Sequence, residues 1–209
     1  MSLLGWSLDP DTEVFGREEA IGAFDLIDVQ RSPAVFNPEK LAWMNGVYVR
    51  SMQAGDFVAL AVDSVETDLG RALDDDERER LAGLAPLLQE RTRLTTDIGP
   101  SARFLFSTIS YDEKAWRKVM KADAGRALEA ARAVLEAVPE WTTGHIEQAL
   151  RAMLAAEGLN ARKGWQPIRV AITGSNISPP LFESLAALPR DVVMTRIAAA
   201  QERLAPAEN

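Results

Sequence analysis

The run Lys163-Gly164-Trp165-Gln166-Pro167-Ile168-Arg169-Val170-Ala171-Ile172-Thr173-Gly174, continued by Ser178-Pro179-Pro180-Leu181-Phe182-Glu183, decides how this chain folds and what it does. Taken as residues alone, it spells two short helices separated by a turn. Arg169 sits between Ile168 and Val170, which suits a structural arginine pairing with an acid on a neighbouring helix. Pro179-Pro180 suits a helix start, where proline's missing amide is not needed.

Helix signals continue outward from this run. Upstream, Ile146, Ala149, Leu150, Met153 and Leu154 recur at the helical period, and Gly158 marks the end of that helix. Residues 122 to 138 are rich in alanine and leucine, both good helix formers. Ser110-Tyr111-Asp112-Glu113 has capping-box spacing and predicts a helix through Trp116 and Val119. Asn37-Pro38 predicts an N-cap followed by proline at the first helical position, opening a helix through Leu41, Trp43, Met44 and Val47. Pro86 and Pro139 are expected to punctuate helices, because proline in a helix interior costs about 3 kcal/mol. No comparable stretch alternates as a strand would, so the expected fold is all-α, a multi-helix segment followed by two packed helical subdomains.

Composition sets the outer limits. The 209 residues carry 47% hydrophobic and 26% charged side chains, ordinary values for a chain that buries a core. No apolar run is long enough to span a membrane, and Met1-Ser2-Leu3 looks like a start scar and not a targeting segment. Cysteine is absent and histidine occurs once, which leaves no thiol nucleophile, no thiolate zinc site and little from which to build a metal cluster. A reducing cytoplasm is the expected compartment.

The net charge of -8 argues against a nonspecific polyanion binder, because phosphate contacts need concentrated Lys and Arg. Acidic runs such as Asp74-Asp75-Asp76-Glu77 inflate that total without saying where the cations lie. Three local clusters stand out: Arg91 with Arg93; Arg117, Lys118 and Lys121; and Arg162, Lys163 and Arg169. Each is a candidate anion surface or, equally, a solvated helix face. The aromatic-rich segment to about residue 60 gives way to Ala, Leu, Arg and Glu, and a second joint falls near residues 118 to 124 or at Pro139-Glu140-Trp141; the expected divisions are 1–60, 61–120 and 121–209. The last few residues, Ala205 to Asn209, read as a frayed tail.

Several of these stretches, in order and spacing, resemble bacterial glutamyl-tRNA synthetases. They are Leu4-Gly5-Trp6-Ser7, Glu13-Val14-Phe15, Phe24-Asp25-Leu26, Ser32-Pro33-Ala34-Val35-Phe36-Asn37-Pro38-Glu39-Lys40-Leu41, Trp43-Met44-Asn45-Gly46, Gln89-Glu90-Arg91, Trp141-Thr142 and the run from Gln166 to Glu183. The resemblance covers nearly the whole chain and implies a C-terminal fragment: a stem-contact segment over 1–60, then two helical anticodon-binding subdomains. A class I synthetase also needs a His-Ile-Gly-His-like helix start for ATP phosphates and a Lys-Met-Ser-Lys-like mobile loop. Neither is in this sequence. Gly144-His145-Ile146-Glu147 lacks the second glycine and histidine, and reads as the first turn of an amphipathic helix.

The resemblance implies a glutamate tRNA as partner, with no DNA and no membrane, for a monomeric chain. It places ATP and magnesium in the catalytic core of the parent ligase, so that this part alone is inactive and has no catalytic residue or metal site. It also implies that Arg169 reads an anticodon base, and that Ser178, Pro179 and Leu181 present backbone groups and an apolar platform to another. Arg91 is the candidate for the third base. Unpaired anticodon bases can lie on apolar or guanidinium surfaces and be hydrogen-bonded along their edges. The other readings stay open: Arg169 as a core brace, Arg91 and Arg93 as solvated charges at a helix C-terminus, and Arg50 as a contact to the inner side of the tRNA elbow. A freestanding helical scaffold or protein-interaction module that has lost RNA binding is the alternative function, supported by the acidic charge.

Overall fold

The computed structural model describes residues 2–30 and 35–205. The Ser32-Pro33-Ala34 part of one motif and most of the C-terminal tail lie outside the described residues. The helices are α1 (Arg17–Ala23), α2 (Pro38–Ser51), α3 (Ala54–Leu69), α4 (Asp75–Arg91), α5 (Ile98–Ala102), α6 (Glu113–Val119), α7 (Ala124–Glu136), α8 (Thr143–Glu157), α9 (Ala161–Thr173), α10 (Leu181–Ala186) and α11 (Arg190–Leu204). Short 3-10 turns occupy Ser2–Leu4, Leu26–Asp28, Thr95–Asp97 and Arg103–Leu105, and there is no strand among the described residues. The all-α expectation therefore holds.

Local sequence explains most helix ends. Asn37 Oδ1 accepts from Glu39 N at 2.9 Å and Lys40 N at 3.1 Å, with Pro38 at the first helical position, which caps α2 as expected. Gly158 ends α8 with a positive φ of 61°, a conformation natural to glycine. At α6 the cap differs from the expectation: Asp112, not Ser110, accepts from Lys114 N at 2.7 Å and Ala115 N at 3.0 Å. A carboxylate is at least as good a cap as a hydroxyl and is the stronger acceptor for these amides.

Proline placement is the clearest departure. Pro86 lies inside α4 and does not punctuate a helix, and Pro167 lies inside α9. Each ring removes one amide and crowds the carbonyl four residues earlier, at Ala82 and Lys163. Burial on neighbouring helices outweighs the local penalty: Ile168, Val170, Ala171 and Ile172 on α9 are all fully buried.

Two hydrophobic clusters organise the chain. The smaller gathers Phe57, Ala61 and Val65 of α3, Leu81, Ala85 and Leu88 of α4, and Ile98 and Ala102 of α5. The larger joins Leu128 and Leu135 of α7, Ile146 and Leu150 of α8, Ile168 and Ile172 of α9, Leu185 of α10 and Ile197 of α11. Each large side chain buried this fully is worth about 1.5–3 kcal/mol. Helix α4 belongs to both, since Leu84 faces the larger cluster while Leu81 and Leu88 face the smaller, and Phe106 packs against both. The division expected at 60/61 falls inside α3, whose buried face runs unbroken from Phe57 to Val65. A helix with one continuous core face offers no joint there.

The N-terminal segment is held more lightly. Trp6 is its buried anchor, edge-on to Phe15 at 5.9 Å and tilted against Phe24 at 5.7 Å. Beyond that anchor Leu26, Ile27 and Val35 are 80%, 86% and 88% exposed. Trp116, Trp141 and Trp165 serve mainly as packing anchors, whereas Trp43 is 46% exposed. Trp141 Nε1 donates to Leu188 O at 2.8 Å beneath Arg190, and Trp165 stands edge-on to Phe182 at 5.1 Å.

Candidate functional site

The C-terminal end of α4 is fastened to α2. Gln89 Nε2 donates to Val49 O at 2.9 Å and Met52 O at 3.0 Å, and Asn45 Nδ2 donates to Arg93 O. Gly46 makes room for this contact: a Cβ there would lie 3.1 Å from Arg50 Nη1 and 3.5 Å from Arg93 Cα. Thr92 turns the chain out of α4, its hydroxyl donating to Leu88 O at 2.7 Å. As a result Arg50, Arg91 and Arg93 come together on one rim of a groove of about 640 Å³. None of the ion pairs among the described residues involves these three. Arg50 thus joins the anticodon candidates, a pairing that sequence separation concealed.

The opposite rim is the loop from Gly174 to Pro180, which contributes Ile177, Ser178 and Pro179 to the groove. Arg169 shapes this loop from behind. Its Nη1 reaches Pro179 O at 2.6 Å, Ser178 O at 3.3 Å and the Ser178 hydroxyl. The Ser178 hydroxyl in turn donates to Pro179 O at 3.0 Å, and Ser184 Oγ approaches the same carbonyl at 3.4 Å. Arg169 is therefore a brace, but to loop carbonyls and not to an acid on another helix. Nη2 and Nε of the same guanidinium make no hydrogen bond among the described residues. Burial lowers the Arg169 pKa from its usual value, the Arg91 charge lowers it further, and Glu183 opposes both. Arginine remains charged at neutral pH all the same.

The structure thus brings Arg91, Ser178 and Pro179 to one groove, with Arg169 behind its loop. Leu181 is different. It is 4% exposed and belongs to the larger core, so its side chain is no open platform in the free chain. Helix α10 begins at Leu181, two residues later than expected, and runs for only 6 residues. The most exposed apolar side chain in the groove is Ile177, 78% exposed at the loop's tip. The sequence signal for it was an isoleucine stranded in a turn beside Ser178-Pro179-Pro180.

The remaining candidates sort simply. His145 contacts Thr142 Oγ1 at 2.9 Å and lies 3.7 Å from Glu140 at the start of α8, an ordinary surface arrangement. No group of three or more His, Cys, Asp or Glu among the described residues is placed to hold a metal ion. No helix of the described residues is long and apolar enough to cross a membrane. The third cation cluster divides, with Arg169 at the loop while Arg162 and Lys163 join Lys118 and Lys121 around a second cleft.

Arginines that form no ion pair among the described residues stand opposite an exposed isoleucine on a helical scaffold of net charge -8, an arrangement that suits a binding module for a ligand with anionic and flat apolar parts. The chain belongs to the anticodon binding domain family, which matches residues 56–201. It is similar to the glutamate–tRNA ligase of Mycolicibacterium gilvum, at 40% identity over 212 residues that cover 99% of this chain and 42% of that protein. The glutamate–tRNA ligase of Bifidobacterium adolescentis is 37% identical over 215 residues, covering 98% of this chain and 42% of that protein. Among solved structures, a glutamate tRNA ligase from Elizabethkingia meningosepticum in complex with its amino acid shares the fold. Its TM-score is 0.77 at 24% identity, over 98% of this chain and 40% of that one. The chain spans about 42% of the length of the curated relatives it matches.

Proposed function

We propose that the chain recognises a glutamate tRNA through its anticodon, as a noncatalytic part of a glutamate–tRNA ligase. The observation that carries this reading is the groove between the end of α4 and the 174–180 loop. Three arginines that form no ion pair among the described residues face an exposed isoleucine there, on a chain of net charge -8. Single-stranded RNA recognition needs both components, cations for phosphate and apolar or guanidinium surface for unstacked bases.

In this reading Arg91 donates to the edge of the third anticodon base, while Arg50 and Arg93 meet the phosphates around it. Arg169 fixes the loop with Nη1 and offers its remaining donors to a second base. Ser178 and Pro179 form the wall against which that base lies, Ile177 supplies the apolar contact, and Leu181 supports the loop from the core. The segment 1–60 would touch the tRNA stem, and its exposed Leu26, Ile27 and Val35 suit contact with the rest of a full-length ligase. The ATP and magnesium of such a ligase call for a phosphate-binding helix start and a mobile loop that this sequence does not contain. The reading assigns them to that remainder, and places the chain in the cytoplasm as a monomer.

Titration of the chain with labelled glutamate tRNA and with an anticodon variant of it tests the proposal. Cognate preference and a steep fall in affinity with salt are expected. Weak, equal and salt-insensitive binding to both would favour a helical scaffold instead. Within the same assay, Arg91→Gln is expected to relax discrimination at one anticodon position by roughly 5- to 150-fold, the 1–3 kcal/mol typical of a bidentate base contact. A uniform loss of affinity across anticodons would make Arg91 a phosphate contact.

A further inference from the structure

Lys118 and Lys121 lie around the end of α6, while Arg162 and Lys163 lie in the first turn of α9, 41 or more positions along the chain. The fold places all four around one cleft of about 640 Å³, with Gln166 and Asn176 completing its polar wall. All four cations are exposed. Lys163 pairs with Asp123 at 2.9 Å, while Lys118, Lys121 and Arg162 form no ion pair among the described residues. Asp123 is the one acid among the lining residues, so the cleft carries an excess of positive charge on a chain of net charge -8.

The arrangement is electrostatically awkward for the isolated fold. Cations repel one another across the cleft, and the first turn of a helix favours negative groups. Helix α4 follows that rule with Asp75, Asp76 and Glu77 and α7 with Asp123 at its N-cap, whereas α9 places Arg162 and Lys163 in its first turn. A bound polyanion would relieve both effects. Position supplies the identity of that anion: Asn176 lines this cleft and Ile177, the next residue, lines the anticodon groove. Consecutive Cα atoms are about 3.8 Å apart, so the two clefts are the two flanks of one loop.

We infer that this cleft is a phosphodiester-binding site for the RNA backbone, taking the phosphates of the strand that leaves the anticodon groove past Ile177. The inference rests on the tRNA reading, but assigns the cleft a different task. The groove reads bases, and the cleft holds backbone without regard to sequence, because phosphate contacts position a nucleic acid and carry no base information. Lys118, Lys121 and Arg162 supply the charge, Lys163 exchanges its Asp123 partner for phosphate, and the Gln166 and Asn176 amides add neutral donors.

The test is the salt dependence of tRNA binding by the 209-residue chain, with and without Lys121→Gln and Arg162→Gln together. The slope of log affinity against log salt is expected to fall by about 1.4, about 0.7 for each cation lost to a single strand, and affinity near 0.1 M salt by on the order of 10- to 30-fold. The ratio of cognate to anticodon-variant affinity should not change. The charge-preserving pair Lys121→Arg and Arg162→Lys should keep the slope, and Arg132→Gln, which breaks a surface pair with Glu136 on α7, should leave it unaltered. Melting curves for each variant confirm that the fold is retained. An unchanged slope in the Gln pair overturns the inference and leaves the anticodon reading intact, and a collapse of the anticodon ratio overturns it by making the cleft a base reader. Salt-dependent binding without anticodon preference, still weakened by the Gln pair, upholds the cleft and sinks the anticodon reading. Failure of the wild-type chain to bind tRNA sinks both.

Discussion

Arg169→Ala is expected to lower thermal stability and anticodon-dependent binding together. The guanidinium is half-buried and reaches two carbonyls and a hydroxyl of residues 178 and 179, both of which are themselves buried. Alanine would leave the Pro179 and Ser178 carbonyls without their charged donor. A hydrogen bond to a charged group contributes about 1.5–3 kcal/mol, and a buried acceptor left unsatisfied costs a similar amount. A loss of about 2–3 kcal/mol corresponds to about 4–12 °C in a chain of this size. Once the loop is loose, Ile177, Ser178 and Pro179 no longer stand opposite Arg91, so cognate tRNA affinity should fall by roughly 10- to 100-fold even well below the melting temperature. Arg169→Lys keeps a charge but loses the planar fork, and should lie between the two. Full stability in Arg169→Ala would mean that the loop stands without its brace. Lost stability with unchanged binding would place the loop outside the interface.

Gly174→Ala should be among the most damaging single changes in the chain. Gly174 closes α9 with φ 77°, its amide donating to Val170 O at 2.9 Å, and its carbonyl accepts from Asp112 N at 2.8 Å. A Cβ at this position would fall 2.1 Å from the Ser110 carbonyl oxygen, a backbone atom that cannot swing aside. The left-handed conformation alone costs a side-chain-bearing residue about 1–2 kcal/mol, and forcing backbone apart adds about 1–3 kcal/mol. Gly158→Ala isolates the first effect, since Gly158 has φ 61° with nothing within 4 Å of its added Cβ. The measurement is the difference in melting temperature between the two variants. Equal, mild losses would show that α9 does not approach the 109–112 segment this closely. Because Gly174 also begins the groove's loop, the alanine variant should lose anticodon preference as well as stability.

Particular residues show how far the sequence could be read. Asn37-Pro38, Gly158 and the Ile146-Leu150-Met153 stripe are local signals, and each appears in the structure where the chain announces it. Ser110 and Asp112 are both sound caps two residues apart, and only the docking of Gly174 beside Ser110 assigns the cap to Asp112. Pro86 and Pro167 defeat a rule based on propensity because helices packed on several sides recover in burial what proline forfeits in one hydrogen bond. Leu181 illustrates the limit for the site. A leucine after Pro179-Pro180 reads as readily as a surface platform as a core anchor, and only its 4% exposure separates the two.

By itself the sequence determined the helical class, several helix ends and the family resemblance, because periodicity, caps and motif spacing depend on neighbours within a few residues. Tertiary packing alone decided which cations share a surface. It drew Arg50 to Arg91 and Arg93, parted Arg169 from Arg162, and gathered Lys118 with Lys163. It also turned Ile177 outward and Leu181 inward. Contacts between residues dozens of positions apart follow from which helix faces bury against each other, and a net charge of -8 carries no record of where the positive side chains meet.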